Sequence, residues 1–338
     1  MNKILRNIQE TGLANHALHN GGSIHPLILP ADLTSGTGLM NPSVYLDGDQ
    51  LLVNIRHVNY TLYHSEGKNF QHQFGPLQYL HPEDDRALRT VNYVCTLTKD
   101  LDIDKIHRVD TSLLDVEPKW EFTGLEDARL FRWGEKLYLC GVRRDTTTNG
   151  VGRMELSEIK VGNTIKEVSR FRMPAPPPDE TYCEKNWMPV IDMPYHFVKW
   201  TNPTQVVKVD VEAGTCETAV LNENNKTYFG ADLRGGAQVI NWGKDHYLTL
   251  THEVNLFNSE LGRKDGAYRH RFILWDKNWN LVNFSPKFSF LTGEIEFCAG
   301  AAIVGKDLVI SFGFQDNAAF LLRISTRLVN EFIKMEGE

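Results

Sequence analysis

The chain has 338 residues, of which 41% are hydrophobic, 23% charged and 10% aromatic, and its formal net charge is −7. This composition is typical of a globular protein in water, and the negative charge argues against broad binding to nucleic acid or to an anionic membrane. No apolar stretch approaches the roughly 20 residues that a membrane-spanning helix needs. We therefore expect neither partner, and any site for an anion must be a local cluster of basic residues.

The chain begins with a polar stretch that is unlike a signal peptide, and its periodicity predicts a short amphipathic helix over residues 1–20. A second helix is predicted over residues 323–338. The five cysteines are scattered without a CxxC pair, which indicates reduced thiols and a cytoplasmic location.

Between these ends, a strand–turn–strand pattern recurs in chain order. One clear example is ARLFRWGEKLYLCGV, where aliphatic and aromatic segments flank a turn. The five predicted turns lie near Gly48, Gly134, Asp192, Gly243 and Gly305. Radial repetition of such units predicts an all-β chain, a five-bladed β-propeller that forms a single domain over residues 1–338. A β-sandwich or two packed β-domains are the alternatives, and residues 64–86 are predicted to be an insertion.

Polar side chains recur at the open end of these hairpins, opposite the turns. Residues equally distant from a turn lie across from each other in a hairpin. If the hairpins are the inner strands of successive blades, their open ends converge, and these side chains should meet at one mouth of the propeller's central channel. They are Asn41, Arg56, Asp127, Arg143, Arg144, Lys185, His252 and Asp316. A basic cluster inside an acidic protein suggests a bound anion such as phosphate. Carboxylates with nearby aromatic residues (Trp187, Trp200 and Tyr268) also suit a sugar.

Each feature taken alone has a plain structural explanation. A Glu-Asp-x-Arg cluster is often an ion pair, a lone histidine is often a hydrogen-bonding residue, and tryptophans are often core. Only the recurrence at equivalent hairpin positions argues for a site. The sequence contains no HExxH, GxSxG or P-loop motif, so no metal and no organic cofactor is expected.

Several segments resemble glycoside hydrolase family 130, the β-mannoside phosphorylases and mannosidases. GLEDARLF is similar to the family's G-x-E-D-P-R signature, and MNPSVYLDGDQLLVNIR resembles its N-P segment followed by an Arg-bearing strand. EKNWMPV, RGGAQVINWGKDHYLTLTHE and SFGFQDNA resemble later segments in the family's order, so the resemblance covers residues 35–320.

The resemblance implies a five-bladed β-propeller in which one aspartate is the general acid and inorganic phosphate is the nucleophile and co-substrate. It places the acid at Asp127, with Glu126, Glu296 and Asp316 next in line. The implied sugar contacts are Asn41, Ser43, Lys185 and Asp316. The implied phosphate contacts are Arg56, Arg143 or Arg144, Lys185 and His252.

The favoured function is therefore inverting phosphorolysis of a β-linked mannoside, or its reverse synthesis, with an oligosaccharide or a sugar phosphate as partner. The chain departs from the family at Ala128, which replaces the usual proline. YRHRFILWD and IEFCAGAAI are closer to propeller regions found beside glycosyltransferases. A glycosyltransferase-like protein that uses an activated donor and a non-catalytic glycan-binding propeller are the alternatives, and a homo-oligomer is left open. If water were the nucleophile, Glu296 would be the candidate base.

Overall fold

The computed structural model describes residues 3–64, 77–80, 87–176, 181–225, 232–258 and 264–335, and the fold is all-β with a few short helices. Most of the predicted insertion lies outside the described residues. The helices are α1 (Lys3–Thr11), α2 (Leu13–Leu18), α3 (Ala31–Thr34) and α4 (Thr326–Ile333), with a 3-10 turn at Glu223–Asn225. None of the described helices is both long enough and apolar enough to span a bilayer.

The strands follow one another along the described chain, with most connections short. They are β1 (Ser23–Leu27), β2 (Leu39–Asp47), β3 (Gln50–Val58), β4 (Thr61–His64), β5 (Leu77–Leu80), β6 (Leu88–Leu97), β7 (Ile103–Asp110), β8 (Phe122–Thr123), β9 (Glu126–Trp133), β10 (Lys136–Arg143), β11 (Arg153–Val161), β12 (Ile165–Arg172), β13 (Met188–Pro189), β14 (His196–Trp200), β15 (Thr204–Asp210), β16 (Thr215–Asn222), β17 (Asp232–Gly235), β18 (Ile240–Trp242), β19 (His246–Asn258), β20 (Lys264–Asp276), β21 (Leu281–Phe284), β22 (Glu296–Val304), β23 (Asp307–Phe314) and β24 (Ala318–Ser325).

All five predicted strand–turn–strand units are present as antiparallel hairpins: β2/β3, β9/β10, β13/β14, β18/β19 and β22/β23. Four of the turns carry their glycine at positive φ, between 55° and 66°, as tight hairpin turns require. The turn near Asp192 has no glycine and is longer, connecting Pro189 to His196.

Each hairpin continues into a four-stranded antiparallel meander. The first meander is β2-β3-β6-β7, the second β9-β10-β11-β12, the third β13-β14-β15-β16 and the fourth β17/β18-β19-β20-β21. The fifth is β22-β23-β24-β1, in which the first strand of the chain pairs with the last, from Ser23 opposite Arg323 to Leu27 opposite Ala319. A short parallel contact between β7 and β12 joins the first two meanders into one continuous sheet.

The hydrophobic core consists of clusters that lie between successive meanders. Leu52 and Leu130 belong to the cluster between the first and second, and Phe131 and Phe197 to the one between the second and third. Further clusters join the third to the fourth, the fourth to the fifth, and the fifth back to the first. The pattern is cyclic, because the fifth meander packs on the first.

The terminal helices pack on this core, with bounds shorter than the sequence predicted. Gly12, at a φ of 87°, separates α1 from α2 within the predicted N-terminal helix. At the other end, β24 continues to Ser325, whose side chain accepts the backbone NH of Leu328 and caps α4. Phe332 of α4 is buried against Phe272 and Phe288.

Candidate active site

A cavity of about 190 Å³ lies where the open ends of the hairpins meet. It collects seven of the nine site residues predicted from the sequence: Asn41, Arg56, Asp127, Arg144, Lys185, His252 and Asp316. The other lining residues are Met40, Tyr60, Phe122, Glu126, Asn186, Arg234, Tyr268, Ile295 and Phe297. Side chains from all five meanders or the segments beside them therefore converge on one polar cavity.

The local backbone explains how these side chains reach the cavity. Asn41, Asp127 and Asn186 all have left-handed backbone, with φ of 47°, 51° and 62°, a conformation that Asn and Asp tolerate better than most residues. At the first two, the register of the hairpin shifts, as in a β-bulge, and bulges re-aim side chains. Gly313 leaves room for one such bulge, because a Cβ there would lie 2.4 Å from the Asn41 Oδ1.

Asp127 is held as a carboxylate by two donors. Its Oδ1 accepts hydrogen bonds from Asn41 Nδ2 at 2.6 Å and from Arg56 Nη1 at 2.8 Å. Burial by itself would raise the pKa of Asp127, but the charge of Arg56 and the Asn41 bond outweigh it, and the pKa lies below its ordinary value. Asp127 is therefore ionised in the ligand-free protein.

The pKa of Asp316 is shifted in the opposite direction. Burial, with the nearby Asp127 charge adding to it, raises the pKa of Asp316 to about 6. Burial also raises the pKa of Glu126, although Arg56 opposes the shift, and the Glu126 Oε1 has no hydrogen-bond partner in the described part of the chain. The cavity thus combines one ionised carboxylate with two carboxyls that take up a proton more readily.

Arg56 is buried and fully engaged by its neighbours. Its Nη1 binds Asp127, its Nη2 lies 3.2 Å from Glu126 Oε2 and 3.0 Å from the Tyr60 hydroxyl, and its Nε donates to Thr90 Oγ1. The sequence placed Arg56 among the phosphate contacts. In the ligand-free structure its guanidinium pairs with the two adjacent carboxyls, Glu126 and Asp127.

Two other basic residues, Arg144 and Lys185, also line the cavity. Arg144 Nε donates to the Gly150 carbonyl and its Nη2 to the Tyr182 hydroxyl, and its guanidinium lies 5.6 Å from the Phe122 ring centre. Neither Arg144 nor Lys185 forms an ion pair with any residue that the structure describes. Both keep a positive charge available for an anion.

His252 lines the same cavity but is uncharged. Burial, followed by the nearby His270 and Arg234, lowers its pKa well below the ordinary value. Its ring stacks on Tyr268 at 5.4 Å between ring centres, and its Nδ1 lacks a hydrogen-bond partner among the described residues. His252 can therefore donate or accept one hydrogen bond, but it adds no positive charge.

Two predicted contacts lie outside the cavity. Ser43 is buried between sheets, where its Oγ accepts the backbone NH of Leu130 at 3.0 Å. Arg143 forms buried ion pairs with Glu155 at 2.7 Å and Asp145 at 3.3 Å, so carboxylates already occupy its donors. Of the two consecutive arginines, only Arg144 lines the cavity.

Trp187 and Glu296 also have structural roles. Trp187 is 1% exposed and donates its indole NH to Glu184, so it is a core residue rather than a sugar platform. Glu296 is fully buried and accepts the backbone NH groups of Phe290, Leu291 and Gly293, so it is not free to act as a base.

Arg234 and Tyr60 line the cavity but were not assigned to it from the sequence, and Glu126, which the sequence offered only as an alternative acid, lines it as well. Glu126 precedes Asp127 directly, and its position in the same motif was the available signal. Arg234 comes from β17 and was not among the residues that the hairpin spacing placed at the open ends. The described residues contain no group of three or more His, Cys, Asp or Glu arranged to hold a metal ion.

No protein-family model and no curated protein matches this sequence. Solved structures do match it. The β-1,2-mannobiose phosphorylase of Listeria innocua, solved with β-1,2-mannobiose, is 14% identical with a TM-score of 0.57, over 93% of this chain and all of that one. MPT-4, a mannose phosphorylase of Leishmania mexicana solved with phosphate, is 9% identical with a TM-score of 0.51, over 94% and 93% of the two chains.

A third match comes from work on the GH130 family of mannoside phosphorylases. That family contains glycoside hydrolases that target β-1,2 mannosidic linkages in Candida mannan. The matching structure is 12% identical, with a TM-score of 0.54, over 86% of this chain and 85% of that one. The chain has the fold of glycoside hydrolase family 130, and the resemblance seen in the sequence is confirmed at the level of the fold.

Proposed function

We propose that this protein is a glycoside phosphorylase that cleaves a β-linked mannoside with inorganic phosphate and inversion at the anomeric carbon, or catalyses the reverse synthesis. The observation that carries the proposal is the central cavity, in which Asp127 and Asp316 lie beside Arg144 and Lys185, two cations that form no ion pair with the residues that the structure describes. A carboxyl and a separate anion-binding group are what phosphorolysis needs.

The proposal includes the five-bladed β-propeller as the architecture, with the five meanders as its blades. Two features support it. The core clusters are cyclic, and β1 pairs with β24, which would close a ring. The open ends of the hairpins share one cavity, as they would at one mouth of a propeller's central channel.

In the proposed reaction, a phosphate oxygen attacks the anomeric carbon while the bond from that carbon to the glycosidic oxygen breaks. A carboxyl donates its proton to the departing oxygen, which becomes a hydroxyl of the released sugar. The hydrogen of the attacking hydrogen phosphate then restores the carboxyl, and the second product is a sugar 1-phosphate. No metal or organic cofactor takes part in this sequence.

Asp127 is the proposed proton donor. It is ionised in the ligand-free protein, so it must first take up a proton. A phosphate bound nearby would favour this, because a neighbouring negative charge raises the pKa of a carboxyl. Asp316, with its raised pKa, is the alternative donor and otherwise orients the sugar ring together with Asn41.

Arg144, Lys185 and Arg234 are the proposed phosphate contacts, with His252 as a neutral hydrogen-bonding partner. Arg56 is a positioning residue that sets the orientation and charge of Glu126 and Asp127. An arginine fork matches a phosphate edge in two hydrogen bonds, which favours Arg144 over the point charge of Lys185 as the orienting contact.

Hydrolysis is the second candidate, and it is favoured by the Oε1 of Glu126, which has no hydrogen-bond partner among the described residues. An inverting hydrolase needs a second carboxylate to activate water, and Glu126 could fill that role beside Asp127. A transferase or a glycan-binding protein would show other behaviour: the first would prefer a nucleotide-activated donor, and the second would bind sugar without turnover.

The decisive experiment incubates the protein with β-1,2-linked mannobiose, with and without inorganic phosphate, and separates the products. The expected result is mannose 1-phosphate together with free mannose, formed only when phosphate is present. Free mannose formed equally fast without phosphate would establish hydrolysis instead. Binding of the disaccharide without any product under either condition would contradict an enzymatic role towards this linkage.

A further inference from the structure

Arg129 lies in β9, two residues after Asp127, and its side chain is fully buried. It forms no ion pair with any residue that the structure describes. Burial lowers the pKa of Arg129, because the charged form is poorly solvated there, and the Asp127 charge opposes this shift. A buried guanidinium without a carboxylate is costly unless other polar groups of the protein accept its hydrogen bonds.

Three chain segments supply these acceptors. Arg129 Nε donates to the Gly236 carbonyl at 2.9 Å, and its Nη1 donates to the Asp127 carbonyl at 2.8 Å. Nη2 and Nη1 lie 3.4 Å and 3.5 Å from the Asn186 Oδ1. The guanidinium also lies 5.3 Å from the centre of the Phe297 ring, in β22. One planar side chain thus connects segments of the second, fourth and fifth meanders with the segment that precedes the third.

Arg129 lies beneath the central cavity. It is not a lining residue itself, but Asp127, Asn186 and Phe297 are, so it contacts three parts of the cavity from behind. Asp127 is the proposed proton donor, and Asn186 directly follows Lys185, a proposed phosphate contact. The side chain of Arg129 therefore links the acid to a segment that binds the anion.

The two residues that Arg129 links have unusual backbone. Asp127 and Asn186 are left-handed, with φ of 51° and 62°, and such conformations are costly and persist where surrounding contacts enforce them. Ala128 does not restrict the backbone of the residue before it, as a proline would. The hydrogen bond from Arg129 fixes the carbonyl of Asp127, and thereby the backbone from which the carboxylate projects.

We propose that Arg129 is a positioning residue of phosphorolysis, which fixes the Asp127 carboxyl relative to the segment that carries Lys185. This inference rests on the proposed function. The proton donor and the phosphate must act on one sugar in the same transition state, and a displacement of about 1 Å costs about 100-fold in rate. Lysine cannot replace Arg129, because an ammonium keeps the charge but lacks the planar fork that reaches three acceptors.

The test measures steady-state rates with β-1,2-linked mannobiose and inorganic phosphate for the wild type and two variants. Arg129→Lys keeps the charge, and Arg129→Met keeps an apolar chain without it. In both folded variants kcat should fall about 100-fold. The KM values for phosphate and mannobiose should stay within about threefold, because the residues that line the cavity are unchanged. A residue that only stabilises the fold would lower the thermal unfolding midpoint and leave the kcat of the folded fraction unaltered.

Arg132 offers a matched control in the same strand. Its Nε and Nη2 each lie 2.6 Å from a carboxylate oxygen of Asp47, at the turn end of the hairpins, and neither residue lines the central cavity. Arg132→Lys removes a guanidinium fork just as Arg129→Lys does. It should lower the thermal unfolding midpoint while kcat stays within about twofold of wild type.

A fall in kcat of less than about tenfold in both folded Arg129 variants would overturn the positioning role. Recovery of kcat in Arg129→Lys alone would also overturn it, because the charge and not the fork would then matter. The same holds if only the KM values rise, or if neither variant folds.

The wild type tests the proposed function separately. Formation of a sugar 1-phosphate by the wild type, together with normal kcat in the variants, would leave the proposed function standing without the positioning role. Release of free mannose without phosphate would exclude phosphorolysis, and the same kcat comparison would then be read for hydrolysis, where Asp127 remains the donor. If the wild type does not act on mannobiose at all, both are wrong.

Discussion

Arg143 and Arg144 are consecutive residues at the end of β10, yet they belong to two regions with different electrostatics. Arg143 lies in a buried ion-pair network with Glu155 and Asp145, in which Arg172 also contacts Glu155 at 3.2 Å. Arg144 lies in the wall of the central cavity, where its polar contacts are a carbonyl and a tyrosine hydroxyl. Arg143 is the last residue of β10 and Arg144 follows it outside the strand, so the two consecutive guanidinium groups lie in different surroundings.

The difference shows what makes a basic residue available to a ligand. In the ion-pair network the guanidinium groups are matched by carboxylates within the protein, so the region contributes to structure. In the central cavity, Arg56 is matched in the same way, but Arg144 and Lys185 form no ion pair within the described part of the chain. Charge content alone does not identify a binding site, because the pairing of each charge decides its role.

The largest effect is expected at Asp127. Asp127→Asn preserves the shape of the side chain but removes the proposed acid, and it should lower turnover by at least about 100-fold. The fold should remain intact, as judged by circular dichroism and the thermal unfolding midpoint. Asp316→Asn is the matched variant, and if it alone abolished turnover while Asp127→Asn stayed near wild type, Asp316 would be the donor.

The next effect concerns stability. Arg143→Ala would leave Glu155 and Asp145 buried with fewer partners, and we expect it to lower the free energy of unfolding by about 3 kcal/mol. The Michaelis constant for phosphate should change little in the folded fraction. Urea denaturation measures the first quantity and initial rates the second. If the stability were unchanged and the Michaelis constant for phosphate rose strongly, Arg143 would be a phosphate contact and not a residue that stabilises the ion-pair network.

Arg144→Ala should show the opposite pattern. Because its guanidinium has no carboxylate partner among the described residues, its loss should change stability by less than about 1 kcal/mol. The apparent Michaelis constant for phosphate should rise about tenfold, much more than that for the sugar. Arg144→Lys keeps the charge without the fork and should recover part of the loss. Equal increases for both substrates would argue against a specific phosphate contact.

The sequence predicted the hairpins well because each has its own local signal, a turn between two apolar segments, and four of the turns carry glycine. It also predicted that the open ends meet, because the hairpin spacing was combined with the predicted propeller, in which such ends converge on one mouth of the channel. It could not separate Arg143 from Arg144, because a register shift between Cys140 and Val142 changes which residue faces the cavity. Ser43 was misplaced for the same reason, next to the shift that begins at Met40.

Arg234 was missed for a related reason. The fourth meander pairs β19 with two short strands, β17 and β18, instead of one continuous strand. Residue spacing counted back from the turn at Gly243 is therefore valid within β18 but does not predict which residue of β17 reaches the cavity. The sequence also could not predict which charged residues form ion pairs. Glu126 and Arg56, for example, are 70 residues apart and come into contact only in the folded chain.

The smallest effect extends the comparison to a buried titratable group with no charged partner among the residues that the structure describes. His270 is fully buried beside Phe288 and Phe290, and neither ring nitrogen forms a hydrogen bond with the described residues. Burial, with Arg269 adding to it, lowers the pKa of His270 from 6.5 to about 3. Between these two values the unfolded chain binds a proton that the folded protein does not bind.

This histidine should therefore destabilise the fold as the pH falls below about 6.5, by at most about 1.4 kcal/mol for each pH unit. His270→Phe fits the aromatic surroundings and removes the titrating group. Between pH 7 and pH 5.5, the wild type should lose about 1 kcal/mol more unfolding free energy than the variant. Asp316 acts in the opposite direction, because its raised pKa favours the folded state as the pH falls, but it is present in both proteins and cancels in the difference. Parallel pH dependences for wild type and variant would mean that His270 has a hydrogen-bond partner, such as a buried water, and titrates normally.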